Sequence, residues 1–118
     1  MNFRESAKRR TSGSPVLEGR TKIDTDSLIA RYPDEITLTD FDFLSGENEQ
    51  YVVCTFAEDP NAYFNGGRIL TEIFEGFVAE YEGDLAKTRE EFKAQGLKVR
   101  LYHGRTKKGN KVTLVEVL

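Results

Sequence analysis

The chain has 118 residues, with 17 Lys and Arg against 20 Asp and Glu, and a formal net charge of −3. This length suits one domain and is too short for two, while eight Phe and five Tyr supply enough apolar volume for one core. No apolar run approaches the roughly 20 residues that span a bilayer, no secretion signal opens the sequence, and a single cysteine excludes an internal disulfide. We therefore expect a cytoplasmic protein without a membrane partner.

Charge is distributed unevenly along the chain. Residues 1–22 carry a net charge of +4, residues 23–97 a net charge of −12, and residues 98–111 six bases and no acid. Because electrostatic screening acts over about 8 Å at physiological salt, the local sign decides what a surface attracts. The last segment can therefore attract a polyanion although the whole chain is negative.

The N-terminal residues are predicted to form a flexible basic tail, residues 1–19, ahead of a folded domain at residues 20–118. Ser, Thr, Gly, Pro and basic residues dominate the tail, a composition that cannot bury a core. Its cations Lys8, Arg9 and Arg10 are candidates for contacts with a nucleic-acid backbone. A short helical turn, 25–32, is expected next, ended by Pro33.

Three strands are predicted in the first half of the domain. The alternating segment 36–43 switches its apolar face by one residue, which predicts a β-bulge near Thr39 and Asp40. A second strand is expected at 51–56 and a short third one at 62–64, because Val, Tyr, Thr and Phe dominate both.

A helical insertion and two further strands complete the pattern. Apolar residues from Ile69 to Tyr81 recur with helical spacing, Gly83 interrupts them, and a second helical piece follows up to Gly96. The alternating segment 97–102 and the final segment 112–118 are predicted strands. This order is that of the OB-fold, a mostly β domain with a helical insertion, whose five strands form a partly open barrel.

Candidate groups for catalysis are scarce. The only His is His103, and the only Cys, Cys54, shares a strand face with Val52 and Phe56, which is typical of a core residue. No Cys and His spacing suits zinc, and no Walker-type loop is present. We therefore predict that the protein is not an enzyme and has neither a metal nor a cofactor.

Two weaker patterns allow more than one interpretation. Gly66 and Gly67 precede a helix, so they either cradle a phosphate or, as we favour, form a turn that needs positive φ. Two carboxylate pairs are spaced to face the same way and could hold Mg²⁺ with waters, although solvated acidic surface is the favoured interpretation. These pairs are Asp24 with Asp26 and Asp40 with Asp42.

The fourth strand and the loop after it carry the strongest functional pattern. If the Leu and Val residues of the segment 97–102 face the core, its cations and its tyrosine form one outward row. Bases stack on aromatic rings while Lys and Arg contact phosphates, so such a row suits a single strand. The candidate nucleic-acid-binding residues of this hairpin are Lys98, Arg100, Tyr102, Arg105, Lys107, Lys108 and Lys111.

Other strands offer further candidates. Tyr51 alternates with the core residues of the second strand and is expected at the surface. Tyr63 and Phe64 face opposite ways, so only one of them can stack on a base, and the sequence does not decide which. Arg68, just after the two glycines, is a candidate phosphate contact.

The stretch 51–71 and the closing segment 104–110 resemble small single-stranded DNA-binding proteins of phages and conjugative plasmids from Gram-positive bacteria. The motifs are the Glu-Asp-Pro turn at 58–60, the aromatic-Asn-Gly-Gly-x-x-Leu-Thr junction at 64–71 and the basic final loop, and the similar region covers about residues 20–118. The resemblance implies an OB-fold and sequence-tolerant binding of single-stranded DNA in replication, recombination or transfer. RNA as a second ligand and a homo-oligomer both stay open.

The acidic middle of the chain supports an alternative function. A helix bearing Glu72, Glu75, Glu80 and Glu82 would suit a basic protein partner, which would make the chain an interaction or inhibitor module. The face that carries exposed aromatic residues distinguishes the two functions.

Overall fold

A computed structural model of the chain describes residues 16–46 and 49–118. The tail cations Lys8, Arg9 and Arg10 lie outside these residues. No helix within the described part is both long enough and apolar enough to cross a lipid bilayer.

The described residues form a mostly β domain, as predicted, with three helices and one open sheet of six strands in the order β1-β4-β3-β2-β5-β6. The sheet has one strand more than expected, because the two-residue β1 lies parallel to β4 at one edge. In chain order the elements are β1 (Thr21–Lys22), α1 (Thr25–Arg31), β2 (Ile36–Ser45), β3 (Gln50–Phe56), β4 (Ala62–Asn65), α2 (Gly67–Glu80), α3 (Leu85–Gln95), β5 (Leu97–Arg105) and β6 (Lys111–Val117).

The predicted β-bulge is confirmed in β2. The strand pairs with β5 only through Ile36–Leu38 and with β3 from Leu38 to Ser45, and its register shifts between Leu38 and Asp40. Because of the extra residue, Leu38 and Phe41 both reach the core although they are three positions apart. The bulge thus lies where β2 passes from one partner strand to the other.

Phenylalanines supply the largest side chains of the core. Phe41 of β2 stacks on Phe74 of α2 with 4.3 Å between ring centroids, and Phe92 of α3 meets Phe74 edge-on at 5.1 Å. These contacts place both helices of the insertion on the same side of the sheet. The other members of the buried cluster are Leu28, Ile36, Leu38, Val52, Cys54, Phe56, Ala62, Phe64, Leu70, Val99 and Leu101.

The end of the predicted tail is packed against the domain. Residues 16–19 form a turn in which Val16 is fully buried, and the Arg20 side chain donates to the Val16 carbonyl at 3.0 Å and to the Pro60 carbonyl at 3.1 Å. The ordered region therefore includes residues that composition alone assigns to the tail.

An ion pair fastens α3 to the bulge. The Arg89 guanidinium donates from Nε and Nη2 to the two carboxylate oxygens of Asp40, at 3.1 and 2.8 Å. Both side chains are largely buried, and the hydrogen bonds that Arg89 donates to Asp40 raise the pKa of the guanidinium. Lys93 reaches the same carboxylate from a more exposed position, at 3.6 Å.

We expect Arg89→Ala to lower the free energy of unfolding by about 1.5–3 kcal/mol, because a bidentate, charge-assisted pair is lost. The largely buried Asp40 carboxylate would keep only the Phe41 amide and the more distant Lys93. Lys93→Ala is the matched control and should cost less than about 1 kcal/mol, as for other exposed ion pairs. Urea unfolding measures both. Equal losses would show that the bidentate pair does not hold α3 in place.

Candidate nucleic-acid interface

The outward row predicted on β5 is present. Lys98, Arg100 and Tyr102 alternate with the buried Val99 and Leu101 and are exposed or half-exposed on the opposite side of the sheet. The alternating pattern of the sequence therefore predicts correctly which residues of this strand face the core and which face outward.

Arg100 is held between an aromatic ring and a carboxylate. Its guanidinium carbon lies 4.3 Å from the centroid of the Tyr102 ring, a cation–π distance, and its Nη2 donates to Glu116 Oε2 at 3.1 Å. Glu116 is the cross-strand neighbour of Arg100 on β6. The face is therefore less uniformly basic than the segment 98–111 suggests, because an acid arrives from the next strand.

The loop between β5 and β6 is a compact turn that displays two lysines. The Thr106 amide donates to the Asn110 carbonyl at 2.9 Å, Gly109 has a φ of 83°, and the Arg105 side chain donates to the Gly109 carbonyl at 3.2 Å. Lys107 and Lys108 at the tip are exposed and form no ion pair with any described residue. They are consequently available to an anionic ligand.

Lys111 lies on the other side of the hairpin. It faces Arg105 in register, and its Nζ contacts both carboxylate oxygens of Asp26 on α1 at 3.2 Å, with His103 Nε2 3.6 Å from the same carboxylate. Residues 103, 105 and 111 share the side of Val99 and Leu101, since they alternate with the outward row. The structure therefore separates Lys111 and Arg105 from Lys98, Arg100 and Tyr102, and the expectation of one continuous basic row is wrong for these two residues.

Of the two aromatic residues on β4, Tyr63 is the one whose ring is accessible to a base. Phe64 is fully buried, with its ring 5.8 Å from that of Phe56, so it cannot stack on a base. Tyr63 is half-exposed on the opposite side, beside Lys22 of β1. A candidate aromatic contact on this strand is therefore Tyr63, and Phe64 is corrected to a core residue.

The middle of β3 is inaccessible to a ligand on its outward side. Val53 and Thr55 alternate with the core residues Cys54 and Phe56 and yet are buried. The Thr55 hydroxyl shares a hydrogen bond of 2.8 Å with the Thr39 hydroxyl. On this strand only Tyr51, near its start, keeps a half-exposed aromatic ring.

Tyr51 and Arg68 meet in an open cleft of about 490 Å³ beside the start of α2. Arg68 Nε donates to Glu72 at 3.3 Å, and two further carboxylates line the space, so the cleft is net negative and unfavourable for phosphate. The lining residues are Glu49, Gln50, Tyr51, Asn65, Gly67, Arg68, Thr71, Glu72 and Glu75.

Gly66 and Gly67 form the turn from β4 into α2, of which Gly67 is the first residue. A Cβ on Gly66 would lie 2.7 Å from the Val52 side chain, and Gly67 has a φ of 75°. Their amides are already used, since Gly66 donates to the Val52 carbonyl at 2.9 Å and Gly67 to Asn65 Oδ1 at 3.0 Å. The turn interpretation explains both residues without a phosphate.

The candidate residues fall at distant positions along the sheet. Lys98 is opposite Thr37 on β2, whereas Tyr51 is opposite Leu44, seven residues further along β2. At about 3.3 Å per residue this is roughly 23 Å measured along the strand, and Tyr102 lies another four residues away in the opposite direction. The hairpin and the cleft therefore cannot form one compact site.

The carboxylates considered as metal ligands have protein partners. Asp24 caps α1 by accepting from the Ser27 amide at 2.8 Å, which lowers its pKa, and Asp26 binds Lys111. Asp40 binds Arg89, and Asp42 accepts from the Phe43 amide at 2.8 Å. Within 16–46 and 49–118 no three His, Cys, Asp or Glu residues are grouped as metal ligands would be.

Comparisons of the chain with protein-family models, with curated proteins and with solved structures found no match. The functional interpretation therefore depends on the geometry of the chain itself.

Cys54 is fully buried, and burial raises its pKa far above the ordinary value of a thiol. We expect native protein to react with a thiol reagent such as DTNB at least 100-fold more slowly than urea-unfolded protein at pH 8, because thiolate and access are both lacking. Raising the pH to about 9 should not close the gap, since the folded thiol stays protonated there. Rapid labelling of folded protein would contradict the placement of Cys54 in the core.

Proposed function

We propose that the chain binds single-stranded DNA with little sequence preference, through what we call the hairpin face. This face comprises Lys98, Arg100 and Tyr102 on the outward side of β5 together with Lys107 and Lys108 at the tip of the loop. The observation that carries the proposal is the half-exposed Tyr102 ring paired with Arg100 at 4.3 Å, next to cations without an acidic partner among the described residues.

The Arg100–Tyr102 pair supplies the stacking surface. Arg100 covers one side of the Tyr102 ring, and both groups are planar, so a base can stack on the exposed side of the pair. Every base has such a face, so this contact tolerates any sequence. Phosphates on either side of that base would meet Lys98 at one end and Lys107 and Lys108 at the other.

The sheet order supports an OB-fold for this domain. Leaving out the short β1, five strands follow the order β4-β3-β2-β5-β6, the first of them in sequence is bulged and pairs with two neighbours, and both helices of the insertion lie between the third and the fourth. A partly open five-stranded barrel with these features is the architecture in which OB-folds bind nucleic acids. Together with the resemblance of 51–71 and 104–110, it points to replication, recombination or transfer of phage or plasmid DNA.

Tyr102→Ala should weaken binding of a labelled oligo-dT of about 30 nucleotides by roughly 5- to 160-fold, the range for loss of one stacked base. Changing Lys107 and Lys108 together to Ala should make the negative slope of log K against log salt shallower by about 1.4, since each lost phosphate contact on a single strand removes about 0.7 from its magnitude. Fluorescence anisotropy between about 50 and 200 mM salt measures both.

Lys87→Ala is the matched control, because Lys87 is an exposed lysine on α3, away from the hairpin, with no ion pair among the described residues. It should leave affinity and salt slope unchanged. The matching duplex should bind more weakly than the single strand. If wild-type protein binds neither, the hairpin face is not a DNA site, and a basic protein partner for the exposed glutamates of α2 becomes the next hypothesis.

Glu116→Gln should increase affinity for the single strand about 2- to 10-fold, because Arg100 loses a competing carboxylate and the face loses one negative charge. The salt slope should become steeper as a further cation joins the phosphate contacts. The same anisotropy titration detects both changes, and Glu90→Gln on α3 controls for net charge alone. Weaker binding of the Glu116 variant would instead show that the carboxylate is needed to orient Arg100.

A further inference from the structure

The outer edge of β6 has no strand partner among the described residues. β6 ends the sheet order and pairs only with β5, over its full seven residues. The edge at the other end of the sheet, β1, is only two residues long. One edge is therefore short, as is usual in natural sheets, and the other is long.

The hydrogen bonds between β5 and β6 show which backbone groups of β6 remain available at its outer edge. The Leu118 amide donates to the Lys98 carbonyl at 3.0 Å and the Thr106 amide to the Asn110 carbonyl at 2.9 Å, so even-numbered residues of β6 bond to β5. The amides and carbonyls of Lys111, Thr113, Val115 and Val117 consequently point away from β5. In the described part of the chain no other backbone group bonds to them.

The side chains along this edge do little to discourage pairing. Between Lys111 and Glu116, β6 has neither a charge nor a proline, and its register with β5 is regular. Val112 and Leu114 lie half-buried on the outward side of the sheet. Val117, at 54% exposure, and Leu118, at 55%, are the exposed large apolar residues of the described chain.

We infer that this edge binds β6 of a second copy of the chain, antiparallel, about a two-fold axis at Leu114. That register overlaps all seven residues and pairs every outward backbone group, with Thr113 opposite the partner's Val115 and Lys111 opposite the partner's Val117. Charge is compatible with a second copy, since this register puts Lys111 opposite the partner's Val117 and Glu116 opposite the partner's Val112, with no like charges opposite each other.

The dimer would join two hairpin faces. A two-fold axis perpendicular to the sheet keeps the outward side of both copies on one surface, so Lys98, Arg100 and Tyr102 of each copy would share it. Three strand spacings, about 14 Å, would separate the two β5 strands. The dimer itself depends only on the edge of β6, and it would form whether or not the hairpin face binds DNA.

Sedimentation velocity of the DNA-free full chain, from about 1 to 100 µM, tests the pairing. We expect a species of twice the 13.4 kDa chain mass in the wild type, and a folded monomer for Thr113→Pro, which removes an outward amide and spares the bonds to β5. Lys22→Pro is the matched control. The Thr21 amide donates to the Asn61 carbonyl just before β4 and the Ile23 amide to the Tyr63 carbonyl in β4, so the amide of Lys22 points away at the opposite edge. This variant should stay dimeric. A monomeric wild type, or loss of the dimer in both variants, would overturn the inference.

Disulfide trapping provides a second measurement that does not depend on the proline variant folding. In the proposed register the two Leu114 residues form a non-hydrogen-bonded pair whose Cα atoms are about 4.5 Å apart, within the Cα–Cα range that a disulfide can bridge. Leu114→Cys should therefore give a covalent dimer on mild oxidation. Val112→Cys, on the same side of the same strand, should not, since its two copies would lie about 13 Å apart. Equal trapping of the two variants, or trapping of neither, would contradict this pairing.

Discussion

Between Leu38 and Asp40, β2 contains one residue more than its partner β3, and this bulge connects the two halves of the domain. Ahead of it β2 pairs with β5, which carries the hairpin face, and beyond it β2 pairs with β3. A strand without the extra residue would turn Phe41 out of the core, where it stacks on Phe74 and thereby holds α2. The same bulge directs the Asp40 carboxylate to Arg89, so α3 is fastened at the point where the sheet changes partners.

The period of two along β5 and β6 divides the cations of the hairpin between two different tasks. Residues in phase with Arg100 face outward, whereas Lys111 and His103 face α1 and meet the carboxylate of Asp26. One set can contact a ligand while the other ties the hairpin to the domain. The six basic residues of the segment 98–111 therefore cannot all contact one ligand. Those on the inner side of the hairpin face the domain, and only those on the outward side or in the loop are presented to a ligand.

Local patterns predict much of this architecture, and long-range pairing explains where they fail. The bulge, the helices of the insertion and the outward row of β5 all follow from spacing within a single segment. The contact of Glu116 with Arg100 depends on the register between two strands, which no single segment contains. To choose between Tyr63 and Phe64 one must know which side of β4 faces the core, and the sequence of β4 alone does not show this. The strand β1 could not be predicted because two residues are too few to show a periodic pattern.

The distribution of acids limits where a polyanion can lie on this sheet. Glu49, Glu72 and Glu75 surround the cleft that contains Tyr51, far along β2 from Lys98, so a bound strand is repelled at that end. The favourable surface is then close to the length of β5, nine residues or about 30 Å, plus the lysines of the loop. In the proposed function, a site this short would contact only a few nucleotides of a single strand. The proposed two-fold pairing through β6 would place two such surfaces side by side, because both hairpin faces would lie on the same side of the joined sheet.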